Sequence, residues 1–429
     1  MTQQPDHPSA QSAQDHVDPE RLETAIAALA AFGGRDDGGV SRQTLTDVDL
    51  AARRHLVERA RALGCEVGTD DCANLYFRRP GKADLPPVLT GSHADTQPVG
   101  GKLDGAYGVL AGLETIAALN DAGIETLRPI EVVSWTNEEG SRFGPGTMGS
   151  SAFVEPARLA GYRESRDLDG VRFGDALDAA LAAMPDLRRL PMPRPMSACV
   201  ELHIEQGPVL ESAGLPLGVV DGIQSVRWYR VTCQGMMAHA GTTPMENRRD
   251  AMAMAVGIAA QLYARGAQLT AQGLRLTLGR WQVEPNSINT IPGTVVFTVD
   301  ARCVDETVLD TFEAALDRAV AEAPPRGAAS RESLFRRAPT RFPPAMLALV
   351  ERACGRAAAS AGCGAPIRLT SGAFHDAMYL ADHCPTGMIF VPSKDGISHN
   401  AAEHTDAAEL FLGVKALAYT VTALAQQAD

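Results

Sequence analysis

Histidines and carboxylates recur at the ends of four short apolar runs: PPVLTGSHAD (86–95), IEVVSWTNEE (130–139), ACVELHIE (198–205) and MIFVPSKDGISH (388–399). Buried parallel strands read as short continuous apolar segments, and open α/β sheets bind ligands at the carboxyl ends of those strands. The polar ends should therefore converge. They would bring together His93, Asp95, Glu138, Glu139, His203 and His399, with Asp104 a little beyond the first strand. Three imidazoles and several carboxylates in one cleft form a ligand set for two divalent first-row cations, zinc and manganese first among them.

The spacing assigns tasks. In a strand, His93 and Asp95 point to the same face, so Asp95 is expected to accept the N–H of the non-ligating ring nitrogen. Asp104 lies in the glycine-rich GGKLDGAYG, where it reads either as a turn aspartate or as a carboxylate bridging two cations. Glu138 and Glu139 are adjacent at a buried strand end, an arrangement that repulsion disfavours unless cations lie close by. One of the two would then ligate while the other takes a proton from the attacking water. His239 in GMMAHAGTTP, Asn289 before IPG and Arg302 at the end of TVVFTVDAR stand elsewhere in the chain, and each reads as cleft-facing or solvated. His7, His16, His55, His383 and His404 lack a supporting pattern and read as solvated or structural. There is no G-x-S-x-G elbow, P-loop, strand-associated G-x-G-x-x-G or H-E-x-x-H helix, which leaves hydrolysis at a two-metal site.

Composition bounds the class. The chain has 429 residues, 45% hydrophobic and 21% charged, enough for two domains with a large core. A formal net charge of −13 repels phosphates and anionic lipid, so neither nucleic acid nor a membrane is an expected partner. The eight cysteines are scattered without a C-x-x-C pair and read as small buried residues in a reducing compartment. The amino terminus lacks a basic start and an apolar core, so no export signal is expected and the cytoplasm is the default location.

These residues need elements to hold them. Asp18 reads as the N-cap of a helix over 19–33, followed by a helix over about 43–63. The strand PPVLTGSH, the small-residue helix over 105–123 and the strand IEVVSW then form a βαβ unit. Residues 155–197 read as a charged surface excursion. From 223 to 339 the order is β-α-β-β-α-β, the split arrangement of ferredoxin-like domains. The expected fold is therefore α/β: a mostly parallel central sheet in a discontinuous catalytic domain (18–222 and 340–429), interrupted by an inserted ferredoxin-like domain, with residues 1–17 as a disordered tail.

The motifs GSHADTQPVGGKLDGAYGVLAGLE, NEEGSRF, ELHIEQGPVLE, AHAGTTPM, NSINTIPG, SGAFHDA and PSKDGISHN resemble, in order, those of the M20 aminoacylase/carboxypeptidase superfamily. They are most similar to its N-carbamoyl-amino-acid amidohydrolase branch of L-carbamoylases, β-ureidopropionases and allantoate amidohydrolases. The resemblance implies two divalent ions per subunit, zinc ahead of manganese, cobalt or nickel. His93, Asp104 and His203 would ligate one, and Asp104, Glu139 and His399 the other. It implies Glu138 as general base and Gln206, His239, Asn289, Arg302, Gly372 and Ala373 as substrate-binding residues. His239 would be lent by the partner of a homodimer through the inserted lid and dimerisation domain. Ala94 stands where a larger aliphatic residue is usual, and Phe374 replaces the middle glycine of S-G-A-G-H-D. Side-chain preference is what these two departures would change.

The activity so implied is hydrolysis of the carbamoyl C–N bond of an N-carbamoyl amino acid (an L-amino acid or β-alanine) to the amino acid, carbon dioxide and ammonia. Allantoate hydrolysis, a dipeptidase of the same superfamily and a non-catalytic metal- or ureide-binding protein are the alternatives. An intact Glu138 argues against the last.

Overall fold

The computed structural model describes residues 8–322 and 327–428. These form two compact units: one from residues up to 221 together with residues from 341 onward, the other from 222 to 340.

The first unit is built on a ten-stranded mixed sheet. Its centre is four adjacent parallel strands in the order Thr386–Val391, Ala198–Ile204, Val88–His93 and Ile130–Trp135. All four are buried along their whole length, which explains why they read as unbroken apolar runs rather than alternating ones. Antiparallel strands flank this centre: Gly218–Ile223 beside Thr386–Val391, and Leu75–Arg79 beside Ile130–Trp135. The helix Ala106–Asp121 joins two of the central strands and is itself buried nearly all round. The helix Ala407–Ala425 is long and apolar enough to cross a membrane. Here its apolar surface packs against Pro8–Asp15, Ala106–Asp121 and Pro344–Ser360.

Two expectations are corrected in this unit. Residues 8–15 of the supposed tail form a helix that buries Ala10, Ala13 and Gln14; residues 1–7 lie outside the described residues. The excursion at 155–197 is partly core, because the helix Phe173–Ala182 buries Phe173, Leu177 and Ala180 with Phe143 and Met148. The first long helix runs Pro19–Ala30, with the Asp18 carboxylate accepting from Glu20 N and Arg21 N. Cys363 is exposed, whereas the other seven cysteines are buried.

In the second unit, Ser225–Gln234 pairs antiparallel with both Thr294–Cys303 and Ala328–Arg337, and Arg275–Thr277 and Trp281–Glu284 pair with the other edge of Thr294–Cys303. Thr294–Cys303 alternates strictly. Val295, Phe297, Val299, Ala301 and Cys303 enter a core shared with the helices Ala251–Leu269 and Glu306–Ala321, while Asp300 and Arg302 lie on the opposite face.

Candidate metal centre and catalytic site

The carboxyl ends of the four parallel strands converge as their polar termini require. His93 closes its strand opposite Trp135, and His203 stands in register with Phe390. Glu138 and Glu139 follow Trp135, and His399 ends the loop beyond Val391. Asn137, Gln206 and His399 all have left-handed backbone (φ 57°, 56° and 53°), a local cost that the rest of the fold must offset.

Asp104 is the hub. Its Oδ1 lies 3.3 Å from His203 Nε2 and 3.9 Å from His93 Nε2, and its Oδ2 lies 3.2 Å from His399 Nε2. His399 Nε2 is also 3.3 Å from Glu139 Oε2. Two triads result, His93–Asp104–His203 and Asp104–Glu139–His399, each compact enough to hold one metal ion. Glu138 approaches the first through its Oε2, 3.5 Å from His93 Nε2.

Both inner imidazoles are oriented for ligation. His93 Nδ1 donates to the carbonyl of Asp95 at 3.0 Å, and His203 Nδ1 donates to the carbonyl of Ile204 at 2.9 Å. In each ring Nε2 is then left to carry the lone pair. The N–H of Gly105 donates to His203 Nε2 at 3.2 Å, which agrees. Burial lowers the His203 pKa, but Asp104 more than offsets it and lifts it to about 9, which would place a proton on Nε2. The Gly105 N–H needs a lone pair there, and the hydrogen-bond geometry decides for the neutral ring. In His93 burial prevails and brings the pKa to about 4, favouring the neutral ligand form.

The carboxylates report the same demand for positive charge. Burial and then repulsion from Asp376 push Glu138 well above the usual range, and burial with Asp104 brings Glu139 to about 8. Burial acts the same way on Asp104, but the facing imidazoles of His203 and His399 hold it well below normal. Hydrogen bonding to Asp104 and the charge of Glu139 raise His399 to about 9. Crowded, buried acids facing bare imidazole nitrogens fit divalent cations, whose charge removes the repulsion.

Asp95 departs from expectation. The backbone carbonyl of Asp95, not its carboxylate, holds the His93 ring; Oδ1 is 3.7 Å from Nδ1. The carboxylate turns instead to the amides of Glu138 and Glu139, at 3.3 and 3.4 Å, so Asp95 braces the loop bearing both glutamates. Arg42, fully buried, fixes the same segment by donating to the carbonyl of Ala94 at 2.7 Å.

Gln206 donates through Nε2 to Asp104 Oδ2 at 3.0 Å and to Ser398 Oγ at 3.2 Å, which leaves its buried Oε1 without a partner. Ala373 N donates to Ser371 Oγ at 3.1 Å, beside the exposed Gly372 and the half-buried Phe374. Three residues had escaped the sequence reading. Glu201 and His375 form a third cluster with His203, the His375 ring lying edge-on to His203 at 4.6 Å. Glu403, buried, receives the amides of Leu103 and Asp104. Glu201-x-His203 carried the same alternating signal as His93-x-Asp95, whereas Glu403 offered none.

His239, Asn289 and Arg302 belong to the second unit. His239 and Thr290 are partners in a two-stranded ladder, and Ala240 N donates to the Asn289 carbonyl at 3.0 Å, so His239 and Asn289 are neighbours. His239 Nδ1 accepts from Gly241 N and Thr242 N at 3.0 and 3.2 Å, which directs the N–H of the exposed neutral ring to Nε2. Arg302 already grips Asp300, with Nε 3.0 Å from Oδ1 and Nη2 2.8 Å from Oδ2.

The family described as peptidase family M20/M25/M40 matches residues 89–423. The chain belongs to peptidase family M20/M25/M40. Among similar proteins is the N-carbamoyl-L-amino acid amidohydrolase of Geobacillus stearothermophilus, 39% identical over 95% of this chain and 98% of that one. The allantoate amidohydrolase of Escherichia coli (strain K12) is 36% identical over 95% and 98%. A crystal structure of an amidase of the hydantoinase/carbamoylase family from Burkholderia vietnamiensis, 43% identical, aligns over 96% of this chain and 98% of its own with a TM-score of 0.86.

Proposed function

We propose that the protein is a cytoplasmic, homodimeric amidohydrolase that cleaves the carbamoyl C–N bond of N-carbamoyl amino acids bearing a free carboxylate. The observation that carries this reading is the Asp104 carboxylate shared between two histidine-containing triads, with Glu138 beside the first. The kinship to the Geobacillus enzyme supplies the substrate class.

In this reading His93, Asp104 and His203 hold one divalent cation, and Asp104, Glu139 and His399 a second, zinc ahead of manganese, cobalt or nickel. Bound there, the ions supply Lewis-acid activation of water and of the poorly electrophilic ureido carbonyl. Glu138 takes the proton of the attacking water and passes it to the departing nitrogen. Cleavage leaves the amino acid and carbamate, which breaks down to carbon dioxide and ammonia. His239 donates its Nε2–H to the developing oxyanion from the partner subunit. Gln206, Asn289 and the Gly372–Ala373 backbone orient the ureido group, and Arg302 holds the substrate carboxylate. The strand order of the second unit supports a ferredoxin-like topology, and in this reading that unit is the lid through which the protein dimerises. Phe374 and Ala94 adjust the pocket around the amino-acid side chain.

Allantoate is the second reading, favoured by the relative from Escherichia coli. Ammonia release from N-carbamoyl-L-amino acids, N-carbamoyl-β-alanine and allantoate, and free amino-acid release from dipeptides, with chelated and zinc- or manganese-loaded protein, separates the cases. Cation-dependent turnover of a carbamoyl amino acid above allantoate is expected. Turnover of dipeptides alone, or undiminished turnover by metal-free protein, would sink the proposal.

A further inference from the structure

We infer that Glu403 is a positioning residue: it sets Asp104 between the two triads and ties the His399 loop to it. The inference rests on the metal reading above, but its test needs no substrate. Glu403 is 4% exposed, and its Oε1 accepts from Leu103 N at 2.9 Å and Asp104 N at 3.1 Å. Two consecutive amides on one oxygen fix the backbone that carries Asp104, and with it the direction of both Asp104 oxygens. Oε2 of the same carboxylate accepts from Ser398 Oγ at 3.0 Å, one residue before His399. Ser398 Oγ is also 3.1 Å from Asp104 Oδ2, and its single hydrogen can serve only one carboxylate at a time. One side chain thereby joins ligands from opposite ends of the chain.

The chain makes room for this contact. A Cβ at position 101 would stand 2.0 Å from Glu403 Oε1, so only glycine admits the carboxylate. Burying a further acid beside Asp104 is unfavourable in isolation, and a neutral brace would avoid that cost. Cations in the two triads would offset it.

The full-length protein is stripped with a chelator and titrated with zinc against a chromophoric competitor, while circular dichroism monitors folding. Residues that orient metal ligands usually contribute about 10- to 100-fold in affinity, so Glu403→Ala and Gly101→Ala should each weaken at least one equivalent by that factor. Glu403→Gln should restore wild-type affinity, because its carbonyl oxygen can accept both amides. With cobalt as probe, the visible spectrum should change in Glu403→Ala and not in Glu403→Gln. If Glu403→Ala fails to fold, Glu403→Asp replaces it, since it keeps the charge but falls a methylene short of the amides. Wild-type zinc affinity in a folded Ala or Asp variant overturns the inference, as does a Gln variant as weak as Ala. Zinc binding by wild type without ureido hydrolysis would overturn the substrate reading alone. No zinc binding by wild type would overturn both.

Discussion

Gly105 and His93 are in contact so close that a Cβ at position 105 would stand 2.3 Å from His93 Nε2. Gly105 also has a φ of 63° and caps the helix Ala106–Asp121, so one residue turns the chain from Asp104 into the helix while leaving space for a ligand ring. Gly105→Ala should therefore displace His93 and weaken cation binding about tenfold or more, the scale seen when ligand orientation is lost. Gly123→Ala is the control, because Gly123 has a φ of 62° and a Cβ there meets open space. Both positions have a positive φ, so each substitution also strains the backbone. Metal content should fall only in the first; equal content in the two would refute the steric argument.

The adjacent glutamates separate base from ligand. Glu138→Gln should keep both cations and lose at least about 100-fold in kcat, the usual share of general acid–base catalysis. Glu139→Gln should instead lower metal stoichiometry, because Glu139 Oε2 faces His399 at 3.3 Å. Elemental analysis with the opposite pattern would mean that the roles are exchanged.

Asp95 makes a distinct prediction because it reaches both glutamates through their amides. Asp95→Ala should reduce kcat more than it reduces zinc affinity, since the His93 ring is held by the backbone carbonyl and not by the removed carboxylate. A larger loss in zinc affinity than in kcat would show that the carboxylate orients His93 after all.

Arg302 is paired with Asp300. If it binds the substrate carboxylate, Arg302→Ala should raise KM at least about tenfold, as expected when one partner of a charge pair is removed. Amidating the substrate carboxylate should then harm wild type much more than the variant. Equal sensitivity of wild type and Arg302→Ala to amidation would exclude the contact.

Complementation tests a shared site. Glu138→Gln and His239→Ala homodimers should each be nearly inactive. In a mixed dimer with His239 acting in trans, one site has both defects and the other has neither, so activity returns. If heterodimers form by mass spectrometry without recovered turnover, His239 acts within its own subunit.

Much of the site was legible because burial on both faces makes a central parallel strand a continuous apolar run, and the polar residue that ends it stands out. His93, Glu138, Glu139, His203 and His399 could be gathered that way, as could the βαβ unit around Ala106–Asp121, whereas the choice of Asp104 and Glu139 as ligands came from the motif resemblance. Local chemistry was equally readable: Asp18 caps its helix as its position before Pro19 and Glu20 suggests. What a residue's carboxylate touches was not. Side-chain alternation placed Asp95 on the His93 face, but the turn after His93 brings the Asp95 carbonyl to the ring and aims the carboxylate at Glu138 and Glu139. Arg302 reads from the sequence as cleft-facing or solvated, and Asp300, on the same face of its strand, engages it. The helix at Pro8–Asp15 lacked a strong pattern because its order depends on packing against Ala407–Ala425, nearly four hundred residues away in sequence. Periodicity records which way a strand or helix faces, so residue types and their order determined the class of fold and the inventory of candidate ligands. Tertiary packing alone decided which oxygen meets which hydrogen, because those distances depend on loops that close between segments remote in the chain.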